Sequence, residues 1–313
     1  VQGADFYMQP VWHPDGNMIA WVEWDHPNMP WDGTRLKLAA LETGKLPSVK
    51  STQIVAGDED TVIFQPEFSP DGNWLSYITS AGNWDALVLV NLKNLDKQVI
   101  YQPDQAQLME PAWVQGVRTY AWSNDSQSIY FLQNQTGYNT LWQLEIHSGE
   151  TTKINTGEYT SLRQISVSNK GEIALIASCA TIPARVIVGN GKSWRIMARS
   201  TAENIPAAYL SSPQAISWQS DEGIRIHGLF YPPANPKFTA DGIPPVIVYI
   251  HGGPTSQVTA GFSTATAFFT SRGYGWLDVN YRGSTGYGHE YKNMLRGRWG
   301  MWTWKMQLVG PEH

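Results

Sequence analysis

The feature that most constrains this chain is a unit that recurs four times within residues 1–205, a polar turn running directly into a short apolar strand. Trp12-His13-Pro14-Asp15-Gly16 leads into Met18–Val22, and Ser69-Pro70-Asp71-Gly72 into Trp74–Ile78. Ser123-Asn124-Asp125-Ser126 precedes Ser128–Leu132, and Ser168-Asn169-Lys170-Gly171 precedes Ile173–Ala177. A second apolar strand follows each time, at Leu36–Leu41, Leu87–Leu92, Leu141–Ile146 and Val186–Val188. The turns lie about 45 to 56 residues apart, the length of one four-stranded blade, so the spacing predicts four blades of a β-propeller. A meandering β-sandwich is the alternative, because Asp-Gly turns close hairpins in any antiparallel fold. Asp residues at these turns read as turn formers and not as calcium ligands.

Composition removes several functional classes. At 313 residues the chain has room for two cores. With only 16% charged residues and fifteen Trp it is globular and not disordered. A net charge of −5 offers no basic surface for nucleic acid. No apolar run approaches the 18 or so residues of a membrane-spanning helix, so no membrane partner is expected. The single cysteine, Cys179, rules out a disulfide framework and fits a reducing, cytoplasmic compartment. Oligomeric state leaves no mark on the sequence. Asn124-Asp-Ser126 and Asn134-Gln-Thr136 match the glycosylation pattern, but such short matches are common by chance.

The blade pattern ends near Thr201–Pro206. Gln214–Gln219 and Ile224–Tyr231 alternate around Ser220-Asp-Glu-Gly223, predicting a hairpin. The apolar run Pro245–Ile250 predicts a buried parallel strand, cut off by His251-Gly252-Gly253-Pro254. Two glycines there remove both Cβ atoms and let main-chain N–H groups approach whatever sits beyond the strand, as in half of an oxyanion hole. A helix is predicted over 262–272, stopped by Gly273-Tyr274-Gly275, then a strand at Trp276–Asn280.

The HGGP loop at 251–254 and Asn280-Tyr-Arg-Gly-Ser-Thr-Gly-Tyr-Gly288, about thirty residues on, together resemble the prolyl oligopeptidase-type serine peptidases, in particular their acylaminoacyl-peptidase and dipeptidyl-peptidase-like branch. The loop Asp25–Thr34 also looks like one typical of the acylaminoacyl branch, although a Pro-rich inter-strand loop has an ordinary reading too. The resemblance implies a mainly β plus α/β fold: a partial propeller of about four blades over 1–205, then the N-terminal part of an α/β-hydrolase domain over 206–300. Family propellers have seven or eight blades. With no Met at the start, the first part of this one is therefore expected to be absent. The resemblance implies short peptides as substrates, acyl-enzyme chemistry, and His251, Gly252, Gly253 and Pro254 as the oxyanion loop.

The rest of the catalytic apparatus does not appear. An α/β-hydrolase nucleophile sits at a Gly-x-Ser-x-Gly elbow followed by an acid and a His. Gly261-Phe262-Ser263-Thr264-Ala265 lacks the closing Gly, and Ser263 fits a helix N-cap. Ser284 lies in a glycine-rich loop and not at an elbow. Of the seven His, His13, His26, His147, His227, His289 and His313 read as structural or surface residues, which leaves His251 at the loop. Gly191-Lys192-Ser193 fails as a phosphate loop because Val186 stands where its first Gly belongs. No His/Cys spacing suggests zinc, and no cofactor is called for. The chain as it stands is expected to be inactive. The alternatives are a propeller-type interaction module and a lipase- or esterase-like hydrolase.

The tail carries its own signal. Up to Gly300 the sequence resembles the family, which continues with an acidic Val-Asp-Val-Glu-Asp-like segment; here Met301-Trp302-Thr303-Trp304-Lys305-Met306-Gln307 stands instead. Those residues are encoded by ATG TGG ACN TGG AAR ATG CAR. Read two bases later, this becomes Val-Asp-(Leu/Met/Val)-Glu-(Asn/Asp)-Ala. Residues 301–313 are therefore expected to be out of frame. Sequencing the coding DNA past the Gly300 codon should show the shifted frame running on into a Gly-x-Ser-x-Gly elbow; a shifted frame that meets a stop codon first would refute the slip.

Overall fold

The computed structural model describes residues 2–297 except 43, 45, 46, 81, 203, 204, 240 and 254. Residues 301–313, where the frame slip is expected, lie outside the described residues, as does Pro254. The first four sheets are the expected blades, each a four-stranded antiparallel meander. They comprise β1 (Phe6–Trp12), β2 (Met18–Trp24), β3 (Arg35–Glu42) and β4 (Ser48–Gly57), then β5 (Ile63–Phe68), β6 (Trp74–Thr79), β7 (Ala86–Asn91) and β8 (Lys97–Tyr101). The third holds β9 (Tyr120–Trp122), β10 (Ser128–Gln135), β11 (Tyr138–Glu145) and β12 (Thr151–Ile154), and the fourth β13 (Ser161–Val167), β14 (Ile173–Cys179), β15 (Ile182–Gly189) and β16 (Trp194–Arg199). The strand order within each is sequential, so no segment crosses a sheet.

The recurring turns share one geometry. In each, the residue at the Gly16 position returns its N–H to the first turn residue: Gly16 to His13 (2.8 Å), Gly72 to Ser69 (2.9 Å), Ser126 to Ser123 (3.0 Å) and Gly171 to Ser168 (2.9 Å). All four sit at positive φ, between +60° at Ser126 and +76° at Gly171, which explains three glycines and one serine at this place. Asp71 and Asp125 act as the sequence suggests, accepting from Ser69 and Ser123 Oγ respectively, at 2.6 Å in both turns.

A second recurring device has no signal in the repeat. Gln9, Gln65 and Gln164, each inside the first strand of a blade, adopt φ of +52°, +49° and +55°. At the first two the ladder register slips, between Met8 and Val11 and between Phe64 and Glu67, as at a β-bulge. The turned side chains link neighbouring blades: Gln65 N–H donates to Gln9 Oε1 (2.7 Å), Thr119 N–H to Gln65 Oε1 (2.7 Å) and Arg118 N–H to Gln164 Oε1 (3.2 Å). Around them Tyr120, Phe64, Phe131, Leu36 and Leu75 are fully buried.

The fifth sheet has the order β17 (Gln214–Gln219), β18 (Arg225–Tyr231), β20 (Gly275–Asn280), β19 (Val246–Ile250). β17 and β18 form the expected antiparallel hairpin, and β18 pairs antiparallel with β20. β19 and β20 are parallel, joined through helix α1 (Thr264–Thr270), the crossover that a parallel pair requires. This order, with one parallel pair and a crossover helix, accords with the α/β arrangement expected for residues 206–300. Helix α1 begins where predicted, with Ser263 as N-cap accepting from Thr266 N–H at 3.2 Å, but is shorter than 262–272 because Ser271 already ends it. The expectation of a buried strand at 245–250 needs correcting. β19 is an edge strand paired only with β20 among the described residues, and Val246, Val248 and Tyr249 stay 44%, 48% and 45% exposed. β20, the inner partner, is buried throughout. Helix α2 (His289–Asn293) follows. No helix among the described residues is long and apolar enough to cross a membrane.

By contacts the chain divides into two compact units: Val1–Leu132 with Leu141–Ile154 and Gln164–Ile173, and Gln133–Thr140 with Asn155–Arg163 and Ala174–His313. Gln65→Ala should destabilise the first unit by about 2 kcal/mol, because it strands the buried Thr119 N–H. Urea unfolding checks this: the midpoint of the first unit should fall, and an unchanged midpoint would mean that the side-chain link carries no stability.

Candidate functional site

β19 delivers its last residue into the turn His251-Gly252-Gly253. His251 is 8% exposed and lies flat on Tyr281, ring centroids 4.5 Å apart at 20°. Tyr281 Oη donates to the His251 carbonyl at 3.0 Å. His251 Nε2 is 2.8 Å from Ser284 Oγ, and Nδ1 is 3.2 Å from the Gly252 carbonyl. A carbonyl only accepts, so Nδ1 carries the proton and Nε2 accepts from the serine hydroxyl. Burial lowers the His251 pKa, which favours this neutral ring.

The two glycines are not equivalent. Gly253 sits at φ +59°, a conformation that favours glycine. Gly252 has no positive φ, and a Cβ built on it meets nothing within 4 Å. Both are exposed, so the turn faces outward from the buried histidine.

The loop after β20 grips this turn and the segment beyond it. Asn280, fully buried, accepts from Val258 N–H through Oδ1 at 2.7 Å and donates through Nδ2 to the Val258 carbonyl at 3.0 Å and to Tyr287 Oη at 2.9 Å. Its own carbonyl accepts from Tyr291 Oη at 2.8 Å. Thr285 N–H donates to the Ser256 carbonyl at 2.8 Å. Glycines are required here for contact as well as conformation. A Cβ at Gly283, φ +99°, would collide with the Leu295 side chain and force it to move, and one at Gly286, φ +92°, would overlap Gln257 Oε1. His227 stacks on Tyr287 at 4.1 Å, and burial, aided by the Arg225 charge, lowers its pKa to about 4.

The His251–Ser284 contact is not a catalytic pair. Ser284 is fully buried, so no substrate carbonyl can reach its Oγ, and the orienting group on Nδ1 is a backbone carbonyl and not a carboxylate. Ser263 is spent as a helix cap. His13 instead bridges two blades, its Nε2 3.0 Å from the Gly72 carbonyl. His313 lies outside the described residues. No cluster of three His, Cys, Asp or Glu suited to a metal occurs among the described residues. Sequence reasoning missed the roles of Asn280, Tyr281 and Ser284, although all three stand within the Asn280–Gly288 motif. It also passed over Asp278, whose signal was a charge inside an apolar strand.

Comparison with known proteins bears on this geometry. Residues 260–313 match the model of the prolyl oligopeptidase family. The chain is similar to a puromycin-hydrolyzing peptidase of Mycobacterium tuberculosis, with 32% identity and a TM-score of 0.88 over 96% of this chain and 46% of that one. It is similar to a puromycin hydrolase, with 34% identity and a TM-score of 0.86 over 95% of this chain and 45% of the other. A dipeptidyl-peptidase 5 of Porphyromonas gingivalis is 24% identical over 92% of this chain and 41% of its own length. The chain thus spans less than half the length of each of these proteins.

The tautomer is directly testable. Long-range ¹H–¹⁵N spectra near neutral pH should show His251 protonated at Nδ1, and Ser284→Ala should cost about 1–2 kcal/mol of stability by leaving Nε2 without a donor. An Nε2–H signature in the unsubstituted chain would contradict the network.

Proposed function

Because the chain belongs to the prolyl oligopeptidase family of serine peptidases, we propose that His251, Gly252, Gly253 and Pro254 form the oxyanion loop of a peptidase that cleaves short peptides through an acyl-enzyme. The observation that carries this reading is the outward-facing glycine turn at the carboxyl end of β19, held from beneath by Tyr281 and Ser284. A main-chain N–H there needs no reorganisation to meet a carbonyl oxygen that gains negative charge, and pre-set donors of this kind are the larger part of many acyl-transfer rates. The imidazole under the turn is neutral, so it shapes the loop without adding a charge to it.

In this reading residues 1–205 are propeller blades that restrict access to short or flexible chains, and 206–300 are the opening part of the catalytic domain. The buried, unpaired Cys179 accords with a reducing, cytoplasmic setting. The sequence holds no Gly-x-Ser-x-Gly, and an oxyanion donor assists a nucleophile but does not replace one. The 313-residue chain is therefore proposed to be inactive as a peptidase.

Two measurements test the proposal. The purified chain should not react with a fluorophosphonate probe; labelling of Ser263 or Ser284 would overturn the inactivity. In a full-length relative, substituting valine at the position of Gly253 should lower turnover by about 10²-fold, since one oxyanion donor is worth about 3 kcal/mol. Gly252→Ala should be much milder, because its Cβ meets open space. Undiminished turnover in the Gly253 variant would remove the oxyanion assignment.

A further inference from the structure

Asp278 occupies the middle of β20 and is 4% exposed. Its Oδ1 accepts from Trp276 Nε1 at 2.7 Å, two residues back on the same face of the strand. Among the described residues no Lys, Arg or His pairs with it, and desolvation raises its pKa to about 6, so near neutral pH it carries a buried charge without a counter-ion there. Buried charges are costly unless paired, so a cation that reached Asp278 would relieve that cost.

The surroundings supply the place. Asp278 lines a cavity of about 460 Å³ whose residues all belong to the second unit. Tyr249, its cross-strand partner on β19, stacks on Trp276 with centroids 5.7 Å apart, so two aromatic rings lie beside the carboxylate. Ile176 and Phe262 give the same cavity an apolar wall, and Arg163, exposed and without an ion pair among the described residues, stands at its edge.

We propose that this cavity binds a small zwitterion, a free α-amino acid with an apolar side chain, its ammonium group against Asp278 and its carboxylate toward Arg163. The ammonium supplies the charge that Asp278 lacks, and the stacked rings of Tyr249 and Trp276 flank the pair with apolar surface. Arg163 selects against simple cations such as polyamines, which it repels, and in favour of a ligand that carries a carboxylate as well. The site is separate from the oxyanion turn, and the proposal does not rest on that assignment.

Isothermal titration of the 313-residue chain at about pH 7.5, above the pKa of about 6, tests it with L-leucine, N-acetyl-L-leucine and L-leucinamide. Leucine should bind saturably, N-acetyl-leucine at least tenfold more weakly, and Asp278→Asn should lose leucine to the same degree. Arg163→Gln, at an exposed position apart from the sheet core, should weaken leucine about tenfold while leucinamide binds no more weakly than before. The proposal is overturned by N-acetyl-leucine binding as tightly as leucine, by no leucine binding up to its solubility limit, or by a folded Asp278→Asn chain that binds leucine as before. If Asp278→Asn does not fold, the leucine and N-acetyl-leucine comparison on the unsubstituted chain decides alone.

Discussion

Asn280 is the residue on which the outward loops of the fifth sheet depend. One buried side-chain amide satisfies both main-chain groups of Val258, on the segment after β19, and also meets Tyr287, on the loop after β20. Loops at strand ends carry polar groups that strands would otherwise pair, so a buried loop needs such substitutes. Remove the amide and two carbonyl- and N–H-bearing segments lose their shared anchor at once. The histidine turn sits on this platform through Tyr281 and Ser284, the two residues that follow Asn280 most closely in contact with it.

The platform explains why a glycine-rich sequence can be rigid. Gly283 and Gly286 are not there to bend freely; each leaves space that a neighbour occupies, Leu295 in one case and Gln257 in the other. With these approaches filled, the loop has few alternative conformations, and the turn at Gly252-Gly253 is presented by a fixed base. Pre-organisation of this kind is what converts a main-chain N–H from an ordinary solvated group into one suited to a developing charge.

Much of the architecture was legible because it rests on short-range chemistry. The turn motifs announced their strands, since a positive-φ position followed by an apolar run has few other solutions, and the hairpin at Gln214–Gln219 and Arg225–Tyr231 followed from alternation. What was not legible depends on who lies beside whom. The exposure of β19 could not be read from Val-Ile-Val-Tyr-Ile, because an apolar run looks the same at the edge of a sheet as in its middle. Similarly, Ser284 reads as one more small residue in a glycine loop until His251, 33 positions away, is found against it. The glutamine bulges are further still from any local signal: Gln is ordinary in a strand, and only the twisted backbone at Gln9, Gln65 and Gln164 shows that its side chain has been turned toward another blade.

Those glutamines have a consequence for how such a chain can arise. Within a blade, main-chain ladders do the joining; between blades, a glutamine carried by the first strand adds a side-chain link, alongside others such as His13 to the Gly72 carbonyl. A repeat that brings its own connector can be copied in tandem and offer that side chain to an adjoining copy, with no matching change required there beyond an N–H that every residue but proline already has. Blade number then becomes a quantity that gene duplication can vary in whole steps.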